Sequence, residues 1–482
     1  MEVDLLIGGV CRPASNDATF ERRNPISGEV VTRAAAATPL DAAAAAEAAA
    51  AAFTNWAQTG PSARRQILMK AADAIGQRSQ DLLSSMVGET GATPAWATFN
   101  AKLAVGTLHE AAAMTTQVSG EVIPSDEAGC LAFSVREPAG VVLGIAPWNA
   151  PIILGVRAMA LPLACGNTVV LKSSEICPAT HHLLGKILQD AGVPPGVVNV
   201  ISTSPEGAAS AVESLVAHPA VRRINFTGST RVGRVVAELA GRHLKPVLLE
   251  LGGKAPLVIL DDADINQAVH AAAFGAFMHQ GQICMSTERI IVEEKVADIF
   301  LDRFAHKTAS LKVGDPTDSA VDIGSLVGLE SAARLSELVR DAVGKGAAVV
   351  SGGNPEGTIM PPTILDRVTP DMRIYHEESF GPVVSMLRAR NDDEAVSIAN
   401  DTEYGLVASV FSRDVSRALT VARRLQSGMC HINGPTVHDE AQMPFGGLKA
   451  SGYGRFGGRV GIEEFTELRW MTIHTAPSHY PF

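Results

Sequence analysis

From residue 138 to residue 252, apolar runs alternate with amphipathic stretches. "VVLGIA" (141–146), "TVVLK" (168–172), "VVNVI" (197–201), "RINFT" (223–227) and "VLLEL" (247–251) are short and rich in β-branched residues, as strands buried on both faces are. Between them "APIILGVRAMALPLAC", "PATHHLLGKILQDAG", "EGAASAVESLVAH" and "TRVGRVVAELAGRHL" read as helices, with joins marked by "GVPPG" (192–196) and "LGG" (251–253). Strands alternating with single helices predict βαβ units and a parallel sheet. The expected class is α/β, doubly wound, with ligands beyond the carboxyl ends of the strands.

Residues 1–118 contain two long helical patterns, around 40–58 and 61–115. Past residue 253 a second alternation begins: helix 262–279, strand 289–293, helix 295–311, helix 330–344 and strand 347–351. It predicts a second α/β domain, with Cys284 near the junction of the two. The run 119–137 and "EEFTELRWMTIHT" (463–475) fit neither alternation and read as edge strands available to another subunit.

A length of 482 residues exceeds what one hydrophobic core serves. The formal charge is −11, with Lys and Arg scattered, so a nucleic-acid surface is not expected. The acidic start "MEVDLLIGGV" has no basic leader, and the Ala-rich "DAAAAAEAAAAAF" (41–53) is interrupted by Glu47. No segment reaches the roughly 20 strongly apolar residues of a membrane span. A soluble, cytoplasmic protein is expected. The 6 cysteines are widely spaced, with no CxxC and no HExxH, so no metal site is expected.

One cysteine stands out: Cys284, in "GQICMSTER" (281–289), lies among small, polar and charged residues. Other candidates cluster at strand ends. "FTGST" (226–230) ends a strand and opens a helix, so Gly228 and Ser229 suit a phosphate at a helix N-terminus, or Ser229 is a plain N-cap. "VVLKSSE" offers Lys172 and Glu175; a carboxylate there accepts ribose hydroxyls and repels a 2′-phosphate, or is a solvated loop residue. Glu250, among Leu248, Leu249 and Leu251, is expensive to bury and is either outward-facing or a general base. Asn149, in "APWNAP", is an oxyanion donor or a turn residue. "GYGRFG" (452–457) matches the dinucleotide fingerprint GxGxxG but lacks its strand–helix context, so it is a Gly-rich loop.

Taken together, "PWN" (147–149), "FTGST" (226–230), "LELGGK" (249–254), "GQIC" (281–284), "EESFGPV" (377–383) and "PFGG" (444–447) resemble the NAD(P)-dependent aldehyde dehydrogenases in order and spacing over essentially the whole chain. The resemblance implies that Cys284 is the nucleophile, Asn149 the oxyanion donor and Glu250 the base that hydrolyses a thioester. It implies NAD rather than NADP, with Trp148, Lys172, Glu175, Gly228 and Ser229 holding the adenosine and pyrophosphate half. Glu378 and Phe380 then serve the nicotinamide ribose, and Leu251 and Gly252 lie beside the nicotinamide. The implied fold has a Rossmann-like NAD-binding domain (1–118 and 138–252), an α/β catalytic domain (253–449) and a small β oligomerisation arm (119–137 and 463–482), in a homodimer or homotetramer.

"PWNAPIILGVRAMALPLACGNTVVLK" further resembles the aromatic-aldehyde branch: vanillin, salicylaldehyde and benzaldehyde dehydrogenases. Ala150 replaces the aromatic residue common after "PWN", Arg157 can donate to a ring oxygen or form a helix salt bridge, and Phe445 is expected in the pocket wall. Enzymes for aliphatic or amino aldehydes share the mechanism and are the main alternative; a non-catalytic structural protein on this fold is a remote one. Relatives that acylate coenzyme A typically lack the base that Glu250 supplies.

Overall fold

A computed structural model describes residues 1–318 and 320–482. The five apolar runs of 138–252 form the parallel centre of an eight-stranded sheet. The order across that centre is Val198–Ile201, Thr168–Lys172, Val141–Ile145, Val221–Thr227, Val247–Glu250. The chain moves outward from Val141–Ile145 in one direction, then returns to build on its other side. A crevice therefore opens between the carboxyl ends of Val141–Ile145 and Val221–Thr227, where a doubly wound sheet places its ligands. Leu5–Ile7 and Gly452–Tyr453 join antiparallel at the two ends of this parallel block.

"GYGRFG" thus begins as an edge strand, not as a strand-to-helix turn. Gly452 has φ +105°, and a Cβ there would stand 2.0 Å from the Leu249 carbonyl oxygen. Gly452 and Gly454 serve close packing against the strand Val247–Glu250.

A second, seven-stranded sheet runs in the order Ala348–Ser351, Thr363–Asp366, Val383–Ala389, Thr287–Glu293, Ala255–Ile259, Val407–Phe411, Met429–Ile432. Five of these strands, Ala255–Ile259, Thr363–Asp366, Val383–Ala389, Val407–Phe411 and Met429–Ile432, are absent from the expected alternation. The run "APLVI" is fully buried, and a five-residue apolar run carries no period that separates strand from helix.

The amino-terminal part differs more. Strands occupy much of residues 2–35, which the helical patterns around 40–58 and 61–115 leave unassigned. The stretch 61–115 is three helices, Pro61–Gln77, Ser79–Thr90 and Pro94–Met114. The first break falls at Arg78 and the second at Gly91, φ +70°, packed against Ser325 and Pro25, and Thr93 caps the next helix by accepting from Trp96 N–H. The Ala-rich helix Pro39–Gln58 opens on a Thr38–Asp41 capping box and buries Ala42, Ala45, Ala46 and Ala49 on the core of the first sheet. Small side chains let it approach closely.

The two unassigned runs do pair: Thr466–His474 lies antiparallel to Cys130–Pro138, which also pairs with Val122–Ile123. Among the described residues no helix is long and apolar enough to cross a membrane.

Candidate active site

The chain passes from the first sheet to the second through Leu251–Lys254, and Cys284 packs on that crossing. A Cβ on Gly253 would stand 2.4 Å from the Cys284 carbonyl oxygen. Cys284 follows the helix Ile265–Phe277 and a turn in which His279, Gln280 and Gly281 all have positive φ (50°, 56° and 67°). For the two non-glycine residues this conformation costs roughly 1–3 kcal/mol each. The surroundings hold it: Gln280 Nε2 donates to Ser325 O (2.7 Å), and Gln282 Oε1 accepts from Val327 N–H (3.0 Å). His279 stacks on Trp96, ring centroids 5.1 Å apart.

Asn149 is buried and fixed from both ends. Its Nδ2 donates to Gln282 O (3.0 Å), two residues before Cys284, and its own carbonyl accepts from Trp96 Nε1–H (2.9 Å). An amide nitrogen carries two hydrogens, so the second is available to a ligand.

Glu250 ends its strand fully buried, and neither carboxyl oxygen has a hydrogen-bond partner among the described residues. Burial pushes its pKa well above the ordinary carboxylate range, against the pull of Arg157 and Arg455. Burial likewise pushes the partly buried Cys284 thiol up to about 12, helped by the charges of Glu250 and Glu378. The two groups are thus close enough to feel each other, and both favour the protonated form.

Glu378 lies against the crossing. Gly253 N–H donates to its Oε1 (2.8 Å), and a Cβ on Gly252 would stand 2.6 Å from its Oε2. Burial and the Glu288 charge push Glu378 up to about 7. Its loop is held by Glu288, which accepts from the backbone N–H groups of Ser379 and Phe380 and from Lys254. Phe380, φ +47°, meets the Trp148 ring edge-on at 5.8 Å. The Trp148 ring therefore stands with Phe380 and His279, beside a residue expected at the nicotinamide ribose.

At the sheet crevice, Lys172 is buried with its Nζ 3.5 Å from Glu175 Oε2. Burial pulls the Lys172 pKa down and Glu175 opposes the shift. Gly228 N–H donates to the Glu250 carbonyl (3.0 Å). Ser229 caps the helix Thr230–Arg242 by accepting from Val232 N–H. A Cβ on Gly233 would stand 2.4 Å from Leu251 Cδ2, so this helix N-terminus is seated against Leu251. Bare backbone at Gly228 and Gly252, a helix N-terminus and a lysine–carboxylate pair at the switch point make a cradle that fits a dinucleotide.

On the outer side, Arg157 forms a buried ion pair with Asp439, and its guanidinium lies 4.6 Å from the Phe445 ring centroid. Ala150, buried, starts the helix that carries Arg157. Trp96, Asp439, Glu288 and Arg334, which donates to Glu378 O (3.0 Å), were not singled out in the sequence. Glu288 did leave a signal, being a carboxylate in a fully buried strand like Glu250. Trp96 and Asp439 left none.

The sequence profile described as "Aldehyde dehydrogenase family" matches residues 12–471. Vanillin dehydrogenase of Pseudomonas fluorescens is 60% identical over 481 residues, covering 100% of both chains. Salicylaldehyde dehydrogenase of Pseudomonas putida is 50% identical over 484 residues, again covering 100% of both. The crystal structure of a salicylaldehyde dehydrogenase from Pseudomonas putida G7 complexed with salicylaldehyde superposes with a TM-score of 0.99, at 50% identity and with 100% of each chain covered.

Proposed function

We propose, for a chain that belongs to the aldehyde dehydrogenase family and is an oxidoreductase acting on aldehydes, the NAD-dependent oxidation of an aromatic aldehyde to its carboxylic acid. The observation that carries the mechanism is the buried, unpartnered Glu250 carboxyl, whose charge acts on Cys284, with the Asn149 amide anchored on Gln282, two residues before Cys284.

Cys284 Sγ adds to the aldehyde carbon, and the carbonyl oxygen becomes a thiohemiacetal oxyanion. The free hydrogen of Asn149 Nδ2 and the Cys284 backbone N–H stabilise that charge; one such donor is typically worth roughly 10²–10³ in rate. Bound NAD would supply the hydride acceptor here, and loss of hydride from the thiohemiacetal carbon leaves a thioester on Cys284. Glu250 then removes a proton from water, the resulting hydroxide adds to the thioester carbonyl, and the carbon–sulfur bond breaks to release the carboxylic acid and the Cys284 thiolate. Lys172, Glu175, Gly228 and Ser229 would hold the adenosine and pyrophosphate half of NAD. Trp148, Leu251, Gly252, Glu378 and Phe380 would hold the nicotinamide half.

Support for an aromatic substrate comes from two directions: the names of the close relatives, and a cavity that Arg157 and Phe445 both line. NADH formation with benzaldehyde, vanillin and salicylaldehyde is expected at far higher kcat/KM than with acetaldehyde, hexanal or betaine aldehyde. Preference for the second set would overturn the substrate and leave the mechanism. Glu175 predicts NAD over NADP in the same assay, since its carboxylate repels a 2′-phosphate.

The raised pKa values fix the sign of the pH dependence. Cys284 must be a thiolate and Glu250 a carboxylate, and burial holds both up. Activity is therefore expected to climb with pH across the range from neutral upward, toward the Cys284 value of about 12, as the reactive forms appear. A kcat/KM profile that falls over that interval would contradict these roles.

The same proposal assigns 1–118 and 138–252 to NAD binding, 253–449 to catalysis, and 119–137 with 463–482 to an oligomerisation arm in a homodimer or homotetramer. Apolar side chains exposed on the arm sheet, Val122, Leu468 and Trp470 at 75%, 60% and 72% exposure, support that use. Six free thiols, two of them exposed, suit the reducing cytoplasm as its compartment.

A further inference from the structure

Outside the catalytic cluster, the arm sheet brings three metal-ligating side chains to one end of the strand pair Cys130–Pro138 and Thr466–His474. Cys130 and His474 stand directly opposite in that antiparallel pairing, so their side chains leave the sheet on the same face. Glu127, on the turn that leads into Cys130, completes the group: its Oε1 lies 3.4 Å from His474 Nδ1. Cys130 Sγ, a His474 ring nitrogen and a Glu127 carboxylate oxygen all lie within 4.8 Å of one another. Glu127 and His474 are exposed and Cys130 is half-buried, so an ion can reach them. Spacing along the chain gives no sign of this group, because His474 reaches the other two only through strand pairing.

Backbone bonds hold the three in place. Cys130 N–H donates to Glu127 O (3.1 Å) and closes the turn, while Thr475 N–H and Thr475 Oγ1–H both donate to Gly129 O (2.8 Å each). The turn is thereby tied to the residue after His474, and little chain ordering is left for an ion to impose. Ser478 Oγ lies 3.1 Å from both Glu127 Oε1 and His474 Nδ1, so these two atoms already converge on one shared polar guest. A thiolate, an imidazole and a single carboxylate suit Zn²⁺ better than Ca²⁺ or Mg²⁺, which take oxygen ligands. Three protein ligands leave the fourth tetrahedral position to water.

We propose that Glu127, Cys130 and His474 form a Zn²⁺ site on the arm, with the ion in the place of the Ser478 hydroxyl and water as its fourth ligand. Binding takes the proton from the Cys130 thiol and releases it to solvent, while His474 binds as the neutral imidazole through Nδ1. No electron moves. The ion joins the turn before one arm strand to the end of the other, so it stabilises the arm and takes no part in aldehyde oxidation. An ion that binds only the folded arm raises the unfolding temperature by mass action.

The test uses Co²⁺ as the probe, on the full chain stripped of metal by a chelator. Cys284→Ser is the starting protein, so that the catalytic thiol cannot contribute. Co²⁺ is expected to bind at one ion per chain, with a thiolate-to-cobalt charge-transfer band and the intense visible bands of a tetrahedral ion. Adding Cys130→Ser should abolish the charge-transfer band. Adding Glu127→Gln or His474→Gln should weaken Co²⁺ binding by roughly 10-fold or more, at least what an outer-sphere partner is worth. Adding Cys11→Ser, which removes the thiol 4.0 Å from His182 Nε2, should change neither. Zn²⁺ should displace Co²⁺ and raise the Tm of the Cys284→Ser protein, and leave that of the protein also lacking Cys130 unmoved. Far-ultraviolet circular dichroism and the metal-free Tm are expected to match across these variants, which separates a lost ligand from a lost fold. A charge-transfer band that never forms, or one that survives Cys130→Ser, would overturn the site. So would Co²⁺ affinity that neither Glu127→Gln nor His474→Gln changes, the result expected of an exposed ion pair beside a free thiol.

Discussion

Cys284→Ser is expected to lower kcat for aldehyde oxidation by roughly 10⁴-fold or more, the scale seen when a nucleophile is removed. Serine keeps nearly the shape of cysteine, so the strained turn at His279–Gly281 and its bonds to Ser325 and Val327 remain. What changes is the attacking atom. The surroundings already push a thiol up to about 12, and an alcohol, far less acidic to begin with, stays protonated there. Binding should survive: a fluorescence titration with NADH is expected to give an affinity close to that of the wild type. Retention of more than a few per cent of kcat in the variant would remove Cys284 from the chemistry.

Glu250→Gln is the second large effect, and it has a different signature. Loss of a general base typically costs roughly 10²–10⁴-fold. Thiohemiacetal formation and hydride loss do not need Glu250 as the water-activating base, so the first turnover should proceed. Rapid mixing is then expected to show a burst of NADH close to one per active site, followed by slow steady-state release, with the acyl group held on Cys284. The amide is isosteric and removes a buried carboxyl that has no partner, so the fold should gain if anything in stability. A variant without a burst, slow from the first turnover, would mean that Glu250 acts earlier, as the base for the Cys284 thiol. Unchanged steady-state kcat would exclude it as a base altogether.

Both predictions concern residues that stand out in the sequence, and the reason is chemical. Glu250 sits in an apolar strand where a carboxylate is out of place, and Cys284 lies among small and polar neighbours. Residues that position them leave no comparable trace. Trp96 reaches Asn149 across 53 positions, Glu288 reaches Ser379 across 91, and Arg157 reaches Asp439 across 282. Nothing local to "PAWATF" or "VHDEAQ" says that a ring N–H or a carboxylate will be needed there.

The same division runs through the fold. Alternation of β-branched runs with amphipathic stretches determined the parallel sheet of 138–252, because side-chain period and strand length are properties of a few adjacent residues. The motifs at its strand ends determined the family. Only the tertiary structure decided that residues 5–12 and 452–453 extend this sheet, that Ala255–Ile259 is a strand, and that Asp439 is the partner of Arg157. Those outcomes depend on which buried donors, acceptors and apolar faces meet when chain segments hundreds of residues apart close on one another. A buried charge must find its partner wherever the closed chain supplies one, and periodicity along the sequence carries no record of that address.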